Sequence, residues 1–132
     1  MTQPFVPDLD AALVRYQVSD LDRAVAFYTE QLGFRLVHRA GPVATAARGA
    51  LHLLLSGPES SGSRPMPDGA RQSPGGWNRI VLYVRDLDAS IAGLEKARAH
   101  FRNPVESGPG GRQVQVDDPD GNPIELHEAP KK

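Results

Sequence analysis

Near the C-terminus the stretch Gly121–Glu128, GNPIELHE, reads as a turn followed by a short strand. Neighbours along a strand point to opposite faces, so Ile124 and Leu126 on a packed face put Glu125 and His127 together on the other. A carboxylate beside an imidazole can serve as a general base, as part of a metal site or as one side of an ion pair. Another histidine, His52, stands between Leu51 and Leu53 in an apolar run, and the same alternation sets it apart from both. Glu125 and His52 are therefore the candidates for general-base catalysis. Nucleophilic catalysis has little support, because there is no Cys and no G-x-S-x-G. The cations are mostly guanidinium, 12 Arg against 3 Lys. A guanidinium fork matches carboxylate and phenolate oxygens. Arg15 and Arg79, each in or beside a strand-like segment, are read as contacts to an anionic ligand, with Gln17, Tyr83 and the only tryptophan, Trp77, as companions. Trp77 suits either a stacking wall or an interface anchor. His38 and His100 have no constellation around them. Gly108-Pro109-Gly110-Gly111 lacks the Lys and following helix of a phosphate loop and reads as a hairpin turn.

The elements that must position these residues come in two copies. Leu13–Ala26 aligns with Arg79–Ala92 at an offset of 66 residues, half the chain, with Val18, Asp20, Leu21, Asp22 and Ala26 identical to their partners. Each copy opens with an alternating strand, Val14, Tyr16 and Val18 or Ile80, Leu82 and Val84. A helix follows, capped at Ser19 or Asp20 in one and at Asp86 in the other, because a short side-chain oxygen meets the free N–H groups of a first turn. Leu21, Val25, Tyr28 and Leu32 recur at helical spacing, as do Leu87, Ile91 and Leu94, which makes Phe27 and Tyr28 core residues and Gly33 a stop. Further strands are expected near 34–39, 43–47 and 50–55, then near 101–105, 112–117 and 124–127. A turn at Asp117–Asn122 precedes the last of them. Each half therefore reads β-α-β-β-β. The expected organisation is a first module over 10–55, a loop over 56–76 and a second module over 77–130. The loop holds five Gly, four Pro and five Ser in 21 residues, a composition that suits a lid, a binding loop or a linker.

Composition bounds the rest. A chain of 132 residues, 39% apolar and 23% charged, is ordinary for a globular domain. A formal net charge of −1 gives no nucleic-acid footprint. The absence of Cys excludes disulfides and thiolate metal sites and fits the reducing cytoplasm. No apolar stretch approaches the length of a membrane span, so no membrane partner is expected.

Three segments carry a resemblance: V-x-DLDRAVAFYTEQLGF over Val18–Phe34, GGWNRIVLYVRDLDASIAGL over Gly75–Leu94, and DPDGNPIEL ending at Leu126. Together they resemble the vicinal oxygen chelate superfamily, the group of glyoxalase I, bleomycin-resistance proteins and extradiol dioxygenases. The resemblance implies an α+β fold of two tandem βαβββ modules whose curved mixed sheets enclose a cavity. It also implies a homodimer, often with each cavity built from halves of different chains. Metal-dependent members hold one divalent ion on four residues. The matching positions here are Leu13, His52, Arg79 and Glu125. Leu13 has no lone pair, and Arg79 would repel a cation. The resemblance therefore implies a degenerate metal site.

Two roles follow for Glu125. It pairs with Arg79 in place of a lost cation, or it joins His52 and His127 in a rebuilt two-His, one-carboxylate site of the kind that suits non-haem iron. The first role implies a protein that binds, sequesters or transforms a small polar, anionic, partly aromatic molecule with no tightly bound cofactor. The second implies a lyase or dioxygenase using Fe, Zn, Ni or Mn.

Overall fold

A computed structural model describes residues 12–131. Residues 10 and 11 of the expected first module lie outside them. The order is β1 (Val14–Gln17), α1 (Leu21–Ala26), a π-helical turn (Phe27–Gln31), β2 (Arg35–Ala40), β3 (Val43–Arg48) and β4 (Leu51–Ser56). A 3₁₀ turn at Ser61–Ser63 sits in the connecting loop. Then come β5 (Ile80–Tyr83), α2 (Leu87–Lys96), β6 (His100–Phe101), β7 (Glu106–Gly108), β8 (Gly111–Asp117) and β9 (Pro123–Glu128). This is a mixed α+β fold with two sheets, ordered β1-β4-β3-β2 and β5-β9-β8-β6, β7 pairing β8. In each sheet the first strand runs parallel to the last, and the remaining pairs are antiparallel. No described helix is long and apolar enough to cross a membrane.

Local chemistry explains the helix starts. Asp20 accepts from the Arg23 amide at 3.1 Å, and Asp86 from the Ala89 amide at 3.0 Å, each filling one orphan donor of a first turn. α2 has an additional partner there, since the buried Glu128 carboxylate accepts from the Leu87 amide at 2.8 Å. The first helix widens into a π turn where Thr29 bonds back to the Val25 carbonyl at 2.8 Å. It ends at Gly33, whose φ of +71° is the left-handed stop expected of glycine.

One expected strand is interrupted. Of residues 101–105 only Phe101 pairs in the ladder, next to His100, and pairing resumes at Glu106. The Asn103 side chain takes the Gln115 amide at 2.9 Å, and Pro104 has no N–H to offer a ladder. The tight turn spans Asp118–Asn122, with Asp118 and Asn122 joined through their main chains at 2.8 Å.

The core lies between the modules. Tyr16, Val18, Leu53 and Leu55 from one sheet and Ile80, Leu82, Val114, Val116, Ile124 and Leu126 from the other belong to a single buried cluster, together with Tyr28, Leu87 and Leu94. Polar groups tie the seam. The Tyr16 hydroxyl donates to the Pro123 carbonyl at 2.9 Å and accepts from the Ile80 amide at 3.0 Å. Asp118 accepts from the Tyr28 hydroxyl, the Asn122 side chain and the amides of Asp120 and Asn122, all within 2.9 Å. Because the shared core takes one face of each sheet, Arg15 and Gln17, and likewise Val81 and Tyr83, lie on the faces turned away from it.

Candidate functional site

Those outward faces carry the candidate residues. On the second sheet, β5 and β9 pair Val81 with Glu125 and Tyr83 with His127, and β8 sets Gln115 and Gln113 opposite the same two residues. Arg79, just before β5, reaches Glu125 Oε1 with Nε at 3.0 Å and Nη2 at 2.8 Å. The carboxylate is 7% exposed, so it needs a counter-charge, and the guanidinium fork supplies one. The other oxygen, Oε2, lies 3.1 Å from His127 Nδ1. Nε2 of the same ring lies 2.8 Å from the Gly110 carbonyl oxygen. Both ring nitrogens thus face acceptors, and only the imidazolium can donate to both. The Gly110 carbonyl and then Glu125 raise the His127 pKa above its usual value. Tyr83 packs on the same ring with centroids 5.2 Å apart and is itself 71% exposed. The face gathers a guanidinium and an imidazole around one carboxylate.

The first sheet is arranged differently. The Arg15 guanidinium bonds Ser56 at 3.3 Å. Gln17 donates to the Gly62 carbonyl at 2.6 Å and accepts from Ser63 at 3.0 Å. Both residues thus lie at the start of the connecting loop, which Ser60 tightens through Ser56, Gly57 and Ser63. His52 is exposed on β4 opposite Ala47. It makes no side-chain hydrogen bond to another described residue. Glu125, His127, Arg79 and Tyr83 are brought together; His52 is not grouped with them, and among the described residues no three of His, Asp and Glu could share a metal ion.

The donor set does not fit the divalent ion that the fold family implies. Leu13 offers no lone pair, a guanidinium stands 2.8 Å from the carboxylate that would ligate, and a ring N–H holds its other oxygen.

Trp77 lies beside this cluster. Its carbonyl is 3.4 Å from Arg79 Nη1, and its ring, 72% exposed, has the Arg102 guanidinium 4.9 Å from its centre. Sequence reasoning missed Arg102, since nothing local to it signals a partner 25 residues earlier. Gln113 and Gln115 were also missed, although their alternation with Val114 and Val116 is a legible signal. The Gln115 Oε1 is buried without a partner. A cavity of about 170 Å³ opens beside His127, lined by Ser107, Gly110 and Gln113. Another of about 170 Å³ lies between Gln17, Ser63 and Arg71. A larger one, about 370 Å³, is on the helix side between Leu32, Arg48 and Leu94, away from Glu125.

The comparisons agree with this architecture. Residues 6–126 match the model of the Glyoxalase/Bleomycin resistance protein/Dioxygenase superfamily. Among solved structures the chain is similar to a superfamily member from Sphaerobacter thermophilus, at 30% identity over 89% of this chain and 97% of that one, TM-score 0.69. It is similar to an antibiotic-binding protein from a Streptomyces species, at 26% identity over 91% and 97%, TM-score 0.64. It is also similar to lactoylglutathione lyase from Agrobacterium tumefaciens, at 25% identity over 92% and 96%, TM-score 0.69. A comparison with curated proteins finds no match.

Proposed function

The chain belongs to the Glyoxalase/Bleomycin resistance protein/Dioxygenase superfamily, and from that premise we propose that it binds a small anionic, partly aromatic molecule without a metal, as a homodimer. The Arg79–Glu125 pair carries this reading, because it puts a fixed internal cation where a metal would otherwise sit. With both carboxylate oxygens engaged, Glu125 orients Arg79 and His127. Arg79 and His127 then attract a carboxylate or phenolate, and Tyr83 and Trp77 offer it aromatic surface. The antibiotic-binding relative supports binding or sequestration over turnover.

Exposed apolar side chains support the dimer. Leu13 is 52% exposed, Val81 41% and Tyr83 71%, all on the faces opposite the core. A second copy related by a two-fold axis would cover them and close a cleft over each site. A cytoplasmic location is part of the same reading, in keeping with the Cys-free composition.

A metal-dependent lyase or dioxygenase using His52, Glu125 and a third ligand is the second reading, favoured by the likeness to lactoylglutathione lyase. Elemental analysis of untagged protein after dialysis against a mild chelator separates the two. The proposal expects no stoichiometric metal, and light scattering at about twice the 14.3 kDa chain mass. One divalent ion per chain, lost in Glu125→Ala, would overturn it.

A further inference from the structure

Arg102 stands on the chain just after β6, outside every motif described above. Its guanidinium is almost fully used. Nε meets Asp117 Oδ1 at 2.5 Å, Nη1 donates to the Gly76 carbonyl at 2.8 Å, and Nη2 donates to the Gly121 carbonyl at 2.8 Å. The side chain is only 16% exposed. Its Cζ lies over the Trp77 indole, 4.9 Å from the ring centre. The residues before Trp77 cannot hold the ring by themselves. Gly75 and Gly76 have φ values of +109° and +100°, a region that favours glycine. A bond from the Gly75 amide to Asn122 Oδ1, 2.8 Å, fixes one side of this pair, and the Arg102 bond to the Gly76 carbonyl fixes the other. The carbonyl of Trp77 meets Arg79, the partner of Glu125.

We propose that Arg102 is a positioning residue: it clamps the Gly75–Gly76 pair and backs the Trp77 ring, so that the outer face of the indole forms a wall of the ligand cleft beside Arg79. The inference rests on the ligand class proposed above. Its physical content is directional. A guanidinium is planar and rigid, so its three bonds fix where it stands behind the indole. An ammonium at the same place would keep the charge and lose the plane. The ligand face is an aromatic ring held still before binding, which lowers the ordering cost of association. The occupant is a planar aromatic anion, its ring on Trp77 and its charge toward Arg79.

Trp77 is the only tryptophan, so intrinsic fluorescence reports on it alone. The test uses the full chain and 2-naphthoate as probe. In Arg102→Lys, Trp77 anisotropy should fall and acrylamide quenching should rise without ligand, while the protein stays folded. The Kd for 2-naphthoate should weaken about fivefold in Arg102→Lys and about tenfold in Trp77→Leu, the size expected for an oriented aromatic contact. Arg102→Lys should add nothing further in the Trp77→Leu background, because a residue acting through the ring has no effect once the ring is gone.

Equal effects of Arg102→Lys with and without Trp77 would overturn the proposal, as would unchanged anisotropy. So would a Trp77→Leu protein that becomes monomeric, which would make the ring an interface anchor. Trp77→Leu alters one exposed side chain, so it tests the wall even if Arg102→Lys folds poorly. Failure of the wild type to bind 2-naphthoate at millimolar concentration would sink the ligand class, and with it the wall, whereas the anisotropy decides the clamp independently.

Discussion

In the first module the outward residues of β1, Arg15 and Gln17, are held by Ser56, Gly62 and Ser63, where the loop leaves β4. In the second, the residues around the matching strand, Arg79 and Tyr83, meet Glu125 and His127 on a neighbouring strand. The two strands align at an offset of 66 and pair alike, β1 parallel to β4 and β5 parallel to β9. What differs is the side chains on the faces that packing does not use. A duplicated core constrains one face of each sheet and leaves the other free to diverge. One copy came to anchor a loop, and the other came to hold a compact array of charges.

The largest effect is expected at the seam between the modules. Asp118 in the second module takes four donors, one of them from Tyr28 in the first. Asp118→Ala should cost about 3–4 kcal/mol, since buried donors are left unpaired. A fall in Tm of about 10 °C or more should follow. Tyr28→Phe, which removes a single donor, should cost only about 1 kcal/mol.

Next in size is the contrast between the two arginines. Arg79→Leu should weaken binding of 2-naphthoate by about tenfold or more, the scale of a lost charge-assisted bond, and Arg15→Leu by about twofold. Equal losses measured by calorimetric titration would show the faces to be functionally alike.

The pH response sharpens the same contrast. The folded-state pKa of His127 is raised, so its contribution to stability is fully present below the unfolded value of about 6.5 and is lost as pH rises through the folded value. Comparing the wild type with His127→Gln by denaturant melts across that window should show the difference shrinking toward alkaline pH. A difference that grows with pH would mean the ring is not held as an imidazolium.

The smallest effect is expected at the loop. A Cβ on Gly62 would fall 1.6 Å from Arg15 Nη1, yet the obstacle is the end of a flexible side chain. Gly62→Ala should therefore shift Arg15 and cost less than about 1 kcal/mol. Gln17→Ala should leave Tm nearly unchanged and speed proteolysis within residues 57–76.

Much of this could be read along the chain. The repeat, the two helix caps, the Gly33 stop and the alternation of β1, β5 and β9 are local patterns, and local patterns report local structure. The ion pair expected between Arg79 and Glu125 is present. The expected strand over 101–105 is broken because Asn103 takes a ladder amide from Gln115 across the sheet, a contact with no local sign. Gln17 is offered as a ligand contact by its face and the resemblance; the partners it makes within the chain, Gly62 and Ser63, lie 45 and 46 residues away.

By itself the sequence determined which residues face together within each strand, because a period of two is written in the order of apolar and polar residues. It also determined that two such units would stand in tandem, because the repeat is in the letters. Only the tertiary structure decided which face of each sheet is core. It also decided that His127 stands between a carboxylate and the Gly110 carbonyl, and that Arg102 lies against Trp77. Those outcomes depend on how two separately periodic units pack against each other. Packing brings distant guanidinium, carboxylate and carbonyl groups within 3 Å, and no period along the chain encodes that.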